Sequence, residues 1–136
     1  MGKTLKLEIV IPSGTAYSQE VELVTLPGVE GQFGVYPDHI PLMTQMVPGE
    51  IIVRQIDQES YLAVGEGFIE VTADKVAILT DMAIEADKID AAQAEAARQR
   101  AQARLQEKLS AEELAATNAA LARSLVQLRV KRRTHT

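Results

Sequence analysis

The sequence predicts an α+β protein in which an N-terminal antiparallel β-sandwich of about ten strands precedes a C-terminal antiparallel two-helix hairpin. Short alternations of apolar and polar residues fill the first half, whereas the second half is alanine-rich and contains no glycine or proline. Charge also divides the chain, because residues 1–86 carry a net −9 and residues 87–136 a net +4. We therefore expect two modules that face different partners.

Alternation with a period of two predicts strands in the first half, with apolar side chains on one face. The positions expected to face the core in the first two runs are Leu5, Leu7, Ile9, Ile11, Val21, Leu23 and Thr25. Turn-forming residues separate successive runs, for example at Pro48-Gly49 and Asp57-Gln58. Many short strands at this spacing are typical of an antiparallel sandwich or barrel.

Two helices are expected in the second half, over residues 88–106 and 111–130. Ser110 followed by Glu113 is a capping box that predicts the start of the second helix. The expected apolar stripes are Ala94, Ala97, Ala101 and Leu105 in the first helix and Leu114, Leu121, Leu125 and Leu128 in the second. Because a seam made largely of alanine buries little apolar surface, the hairpin should depend on docking elsewhere and should be able to release.

No set of residues in the sequence converges on catalytic chemistry, so we predict a protein that is not an enzyme and has no metal site. The absence of cysteine excludes disulfides and thiolate zinc sites. His39 follows Asp38, but adjacent residues of an extended segment point to opposite sides. His135 is expected in a solvated tail. Neither a signal peptide nor an apolar run long enough to cross a bilayer is evident, so membrane association should require a protein partner.

A basic segment, RVKRR at 129–133, ends the predicted second helix. Its charges could bind nucleic acid in a free-standing adaptor protein. They could equally form a docking patch for an acidic protein surface, or a solvated helix end stabilised by the helix dipole. The segment contains no aromatic residue, which disfavours nucleic acid, but composition leaves these alternatives open.

Residues 28–51, GVEGQFGVYPDHIPLMTQMVPGEI, carry a family resemblance. They resemble a loop of the epsilon subunits of bacterial F-type ATP synthases, written E-G-x-L/F-G-I/V-Y/L-P-G/D-H-x-P-L. The matching positions are Glu30, Gly31, Gly34, Pro37, His39, Pro41 and Leu42. Residues 61–79, 89–105 and 120–130 resemble later blocks of the same family, so the resemblance covers nearly the whole chain in order.

The resemblance implies a non-catalytic rotor subunit of the central stalk that couples proton flow to ATP synthesis. The sandwich would bind the gamma subunit and touch the c-ring of the membrane sector. The residues expected in that loop surface are Glu30, Gln32, Tyr36 and His39. The implied location is peripheral, on the cytoplasmic face of the bacterial plasma membrane, with no nucleic-acid partner.

The family's hairpin either folds against the sandwich or extends into the alpha/beta catalytic head, where it inhibits ATP hydrolysis. The resemblance therefore implies a contact between basic hairpin residues and the beta subunits. The residues expected to make this contact are Arg123, Arg129, Lys131, Arg132 and Arg133.

Some members of the family bind ATP at the folded hairpin through an I/L-D-x-x-R-A motif and further arginines. The matching positions here are Ile89, Asp90, Ala94 and Arg123. Gln93 and Gln127 stand where arginines are expected, which removes two charge-assisted contacts to phosphate. Each such contact contributes about 1.5–3 kcal/mol, so we expect weak ATP binding and no resident cofactor.

Overall fold

A computed structural model describes residues 3–133, in which it shows ten strands, a 3-10 helix and two α-helices. The strands are β1 (Leu5–Ile11), β2 (Gly14–Val21), β3 (Leu23–Gly28), β4 (Gly31–Val35), β5 (Leu42–Met46), β6 (Gly49–Gln55), β7 (Gln58–Val64), β8 (Gly67–Val71), β9 (Lys75–Thr80) and β10 (Ala83–Glu85). The 3-10 helix at Ala86–Lys88 leads to α1 (Ala91–Arg104) and α2 (Ala111–Arg133). The predicted sandwich and hairpin are confirmed. His135 lies outside the described residues.

The strands form one continuous sheet that folds over on itself, in the order β10-β7-β6-β3-β5-β8-β9-β1-β2, with β4 paired to β3. Pairing is antiparallel throughout the described strands except between β1 and β9, which run parallel. Gln55 Nε2 donates to the carbonyl of Glu20 at 3.0 Å, and the Glu22 amide donates to the carbonyl of Arg54 at 2.8 Å. These bonds join the end of β2 to β6, so the sheet closes around one core.

Apolar residues of all but the short last strand fill this core, and the alternation predicted for β1 holds for Leu5, Leu7 and Ile9. Two details of the predicted phase are wrong. The register shifts between Ile9 and Val10, which leaves Ile11 only half-buried. A bend at position 22 resets the phase of β3, so Val24 and Leu26 are buried instead of their neighbours.

Both helices begin at side-chain caps. Asp90 accepts from the Gln93 amide at 3.1 Å, so α1 begins at residue 91, after the 3-10 turn, rather than at the predicted 88. The predicted capping box is present at α2, where Ser110 Oγ accepts from the Glu113 amide at 3.1 Å and Glu113 Oε1 accepts from the Ser110 amide at 3.0 Å. Helix α2 continues to residue 133, three residues beyond the prediction.

Helix α2 has two packing faces, and the predicted leucine stripe is only partly buried: Leu121 and Leu128 are half-buried, whereas the other two leucines are exposed. Leu114 and Leu125 are each 44% exposed. Small Thr117 and Ser124 are buried on the side of α1, where Ala101 also lies, because a close alanine seam admits only small partners. A separate pair of buried valines faces the sandwich. The alanine positions predicted in α1 are buried at 94 and 101.

Candidate interaction surfaces of the sandwich and the hairpin

The predicted loop surface lies on the turn between β3 and β4 and on the segment after β4. Glu30 and Gln32 are exposed, and the ring of Tyr36 is 61% exposed. The turn requires Gly31, whose φ of 127° is costly for any residue with a Cβ atom. Val29 and Ile40 add exposed apolar surface beside these polar groups. The loop therefore presents a mixed polar and apolar surface.

His39 and Asp38 do not act as a pair. The carboxylate of Asp38 accepts from Lys3 Nζ at 2.8 Å, whereas His39 Nδ1 lies 2.6 Å from the carbonyl oxygen of Ile40. Asp38 adopts a left-handed φ of 67°, a conformation that aspartate tolerates better than most residues. Because the two side chains have different partners, they do not form an acid–base pair in this structure.

An exposed apolar face lies on β5, β8 and β9, and the sequence analysis missed it. Met43, Phe68 and Leu79 are 72%, 57% and 58% exposed. Phe68 lies opposite Leu79 in the register of β8 and β9, and a cleft of about 710 Å³ opens beside them. The alternation of apolar and polar residues along β8 and β9 could have revealed this face, because it places the large apolar residues Phe68 and Leu79 at outward positions. The exposure of large apolar side chains on neighbouring strands makes this face a candidate interaction surface.

The hairpin docks on the sandwich through a second apolar cluster, separate from the sandwich core. The cluster consists of Ala63, Met82, Ala86, Ile89, Val126 and Val130. Val126 and Val130 come from α2, whereas the remaining residues come from β7 and from the connection between β9 and α1. Two valines are the whole contribution of α2 to this cluster, so the docked state depends on a small contact area.

In the docked hairpin, three of the five basic residues predicted to contact the beta subunits make contacts with the sandwich. Arg123 Nη1 lies 3.2 Å from Asp81 Oδ2, in the loop between β9 and β10. Lys131 Nζ donates to the carbonyl of Ala86 at 3.2 Å. These contacts tie the middle and the end of α2 to the sandwich.

The third contact is made by Arg133 at the end of α2. Its Nη1 lies 2.7 Å from Glu50 Oε1 on β6, and its guanidinium carbon is 5.2 Å from the centre of the Tyr61 ring on β7. The other two predicted residues, Arg129 and Arg132, are exposed. Sequence analysis missed Glu50, Tyr61 and Asp81, because no local pattern relates them to the helix.

The residues predicted to bind ATP are only partly brought together. Gln93, Ala94, Arg123 and Gln127 line a cleft of about 460 Å³ between the helices. Ile89 is buried in the docking cluster, and Asp90 caps α1. Arg123 is already paired with Asp81, and the Gln127 amide lies 3.0 Å from Met82 Sδ. The cleft also contains Arg100, so its cations are Arg100 and Arg123, whereas Gln93 and Gln127 contribute neutral amides at the two positions where arginines were expected.

Within residues 3–133, no group of three or more His, Asp or Glu residues is arranged to hold a metal ion. The helices of the same segment are each too short or too polar to cross a membrane.

Comparison with known proteins relates both modules to one complex. Residues 4–86 match the beta-sandwich domain of the ATP synthase delta/epsilon chain, and residues 87–132 match its long alpha-helix domain. The ATP synthase epsilon chain of Dehalococcoides mccartyi strain BAV1 is 42% identical over 134 residues, covering 96% of each chain. Epsilon chain 2 of Syntrophotalea carbinolica is 44% identical over 131 residues, covering 96% of this chain and 95% of its own.

This chain belongs to the ATP synthase epsilon chain family. Solved structures share the epsilon chain fold at lower identity. A chain of the Euglena gracilis mitochondrial ATP synthase superposes with a TM-score of 0.75 at 20% identity, covering 95% of this chain and 81% of its own length. A chain of the Tetrahymena thermophila mitochondrial ATP synthase central stalk and c-ring superposes with a TM-score of 0.62 at 14% identity, covering 99% of this chain and 100% of its own length. The family resemblance predicted from residues 28–51 is thereby confirmed.

Proposed function

We propose that this chain is the epsilon subunit of the central stalk of an F-type, proton-translocating ATP synthase. In this role it contributes no catalytic residue, couples proton flow to ATP synthesis, and inhibits ATP hydrolysis when its hairpin is released. The observation that carries the proposal is the match of both modules, over residues 4–132, to the delta/epsilon chain. The hairpin held to the sandwich by few contacts is the structural feature that such a switch requires.

The sandwich is proposed to bind the gamma subunit through its exposed apolar face and the c-ring through the loop that carries Glu30, Gln32, Tyr36 and His39. Association with the stalk would place the chain at the cytoplasmic face of the bacterial plasma membrane, without a span of its own. An apolar, half-exposed pair such as Phe68 and Leu79 suits the centre of a protein interface.

Gamma binding is tested by Phe68→Glu, which places a charge at the centre of the face and should abolish co-elution with gamma in gel filtration. Ile56→Glu is the matched control, because Ile56 is 69% exposed on the turn between β6 and β7, away from the face. Equal loss of binding in both variants, or in neither, would contradict the assignment of this face.

The proposed brake follows from competition between two partners for the same cations. In the docked state Arg123 and Arg133 are paired with Asp81 and Glu50 of the sandwich. Release of the hairpin frees these groups, together with exposed Arg129 and Arg132, to contact an acidic surface of the beta subunits. Exposed charges attract across an interface less strongly as ionic strength rises, so inhibition should weaken with salt.

Steady-state ATP hydrolysis by three assembled complexes tests the brake: the intact complex, one with the five basic residues changed to alanine, and one lacking residues 87–136. Both altered complexes should hydrolyse ATP faster than the intact one. If truncation accelerates hydrolysis but the five alanine substitutions do not, the hairpin obstructs rotation by its bulk and not by its charge. Unchanged hydrolysis after truncation would contradict the inhibitory role.

The nucleic-acid alternative loses support from the structure. Lys131 and Arg133, two of the four cations in the segment 129–133, contact the sandwich. ATP binding is proposed to be weak, because Gln93 and Gln127 replace two expected arginines and one of the two cations in the cleft, Arg123, is paired with Asp81.

A further inference from the structure

One largely buried carboxyl group faces the C-terminal end of the docked hairpin. The side chain of Glu50 is 11% exposed, and its Oε1 accepts from Arg133 Nη1 at 2.7 Å. Its Oε2 is buried and has no hydrogen-bond partner among the described residues. Such an oxygen loses its hydration without replacement, which disfavours the ionised form.

Charged and titratable groups act on Glu50 from two of the elements packed against β6, namely α2 and β7. Helix α2 supplies the positive charges of Arg133 and Arg129, which favour the carboxylate, and β7 supplies Glu59, which disfavours it. Tyr61 of β7 donates to Glu59 at 2.6 Å and lies against Arg133. Burial is the largest of these influences and raises the pKa of Glu50 above its ordinary value. Desolvation therefore outweighs the ion pair.

We propose that Glu50 couples hairpin docking to a proton, so that the sandwich takes up a proton at Glu50 as α2 docks and the docked state weakens as the pH rises. The consequence for the enzyme rests on the proposed brake, whereas docking itself is a property of the isolated chain. A plain ion pair between Glu50 and Arg133 would have the opposite pH dependence, because acid would break it.

The direction of the pH dependence of docking follows from proton linkage. In this docked structure burial raises the pKa of Glu50. Release of α2 would return water to the carboxyl group, so its pKa should fall back towards the ordinary glutamate value. The docked state therefore binds more protons between the two values. Docking strengthens as the pH falls through the raised pKa and levels off below the ordinary one.

Docking is measurable in the full chain by fluorescence energy transfer between labels on α2 and the sandwich. The chain has no cysteine, so Ser18→Cys and Asn118→Cys, both at exposed positions, supply two unique attachment sites. Measurements use this chain with and without Val126→Ala, which weakens the apolar contact and populates both states. Lowering the pH from about 7.5 to about 4 should raise the ratio of docked to undocked chain progressively, because the docked state binds more protons over this range.

Two substitutions separate proton coupling from an ordinary ion pair. Glu50→Gln keeps the shape and removes the titration, so its docked ratio should be independent of pH and at least as high as the unaltered chain's at acid pH. Asp81→Asn removes the more exposed ion pair with Arg123; it should lower the ratio at every pH and leave the slope unchanged.

A ratio that falls on acidification or stays constant, or a slope that survives Glu50→Gln, would overturn the proposal. Should both backgrounds remain fully docked, the carboxyl carbon of Glu50 is titrated by NMR instead. A midpoint above the ordinary glutamate value supports the proposal, and a midpoint at that value overturns it. If docking depends on pH as proposed but removal of residues 87–136 leaves ATP hydrolysis unchanged, the proposed brake is contradicted and the proton coupling of docking is not.

Discussion

Val130→Ala should loosen the docked hairpin while leaving the sandwich intact. Val130 is fully buried in the docking cluster, next along the helix face to Val126. The substitution removes two methyl groups, each contributing about 0.8 kcal/mol by burial, and leaves a small cavity. We expect docking to weaken by about 1.5–3 kcal/mol, which is about a 10- to 100-fold fall in the ratio of docked to undocked chain.

Hydrogen exchange of the α2 amides, followed by mass spectrometry, measures this change, because amides protected by docking exchange through the undocked state. Peptides from the sandwich should exchange as before. Leu125→Ala is the matched control: it removes more carbon atoms, but Leu125 is 44% exposed and lies outside the cluster. Equal acceleration in the two variants, or none in Val130→Ala, would refute the view that the valine contacts hold the hairpin.

Three further predictions concern ligand binding, module stability and packing. Calorimetric titration of the isolated chain should show ATP binding much weaker than micromolar, because Gln93 and Gln127 supply no cation; a micromolar site would restore nucleotide sensing. Residues 1–86 alone should fold and bind gamma in gel filtration, because they contain the whole sandwich core. Gly67→Ala should lower the melting temperature of the sandwich by several degrees, because the added Cβ would lie 1.9 Å from the carbonyl oxygen of Leu79. An unchanged melting temperature would contradict that close packing.

The two modules could be predicted from sequence because each has its own period. Residues 5–9 alternate strictly, and their apolar side chains are fully buried. The alanine-rich half has no breaker except the connection at Ser110, whose capping box appears in the structure as predicted. The alternation predicted the wrong inward-facing residues at Ile11 and in β3. There a bulge or a bend shifts the register, and a shift of one residue moves each following side chain to the opposite face of the sheet.

The predicted site was incomplete because its contacts join distant parts of the chain. Arg133 and Glu50 are 83 residues apart, and Arg123 and Asp81 are 42 apart. Charge counting showed that a basic hairpin follows an acidic sandwich, but it did not show which carboxylates face which cations. The leucine stripe predicted for α2 is only partly buried for a related reason: the alanine seam of α1 selects small partners, and the sandwich selects the valines.

The central claim, that the docked hairpin permits ATP hydrolysis and the released hairpin inhibits it, is tested by locking the hairpin in place. Asp81→Cys and Arg123→Cys replace an exposed contacting pair in a chain without cysteine, and a reducible bifunctional reagent can bridge them. The locked complex should hydrolyse ATP as fast as one lacking residues 87–136, and reduction should restore the rate that the same substituted complex had before cross-linking. Hydrolysis that stays inhibited while the hairpin is locked on the sandwich would contradict the account.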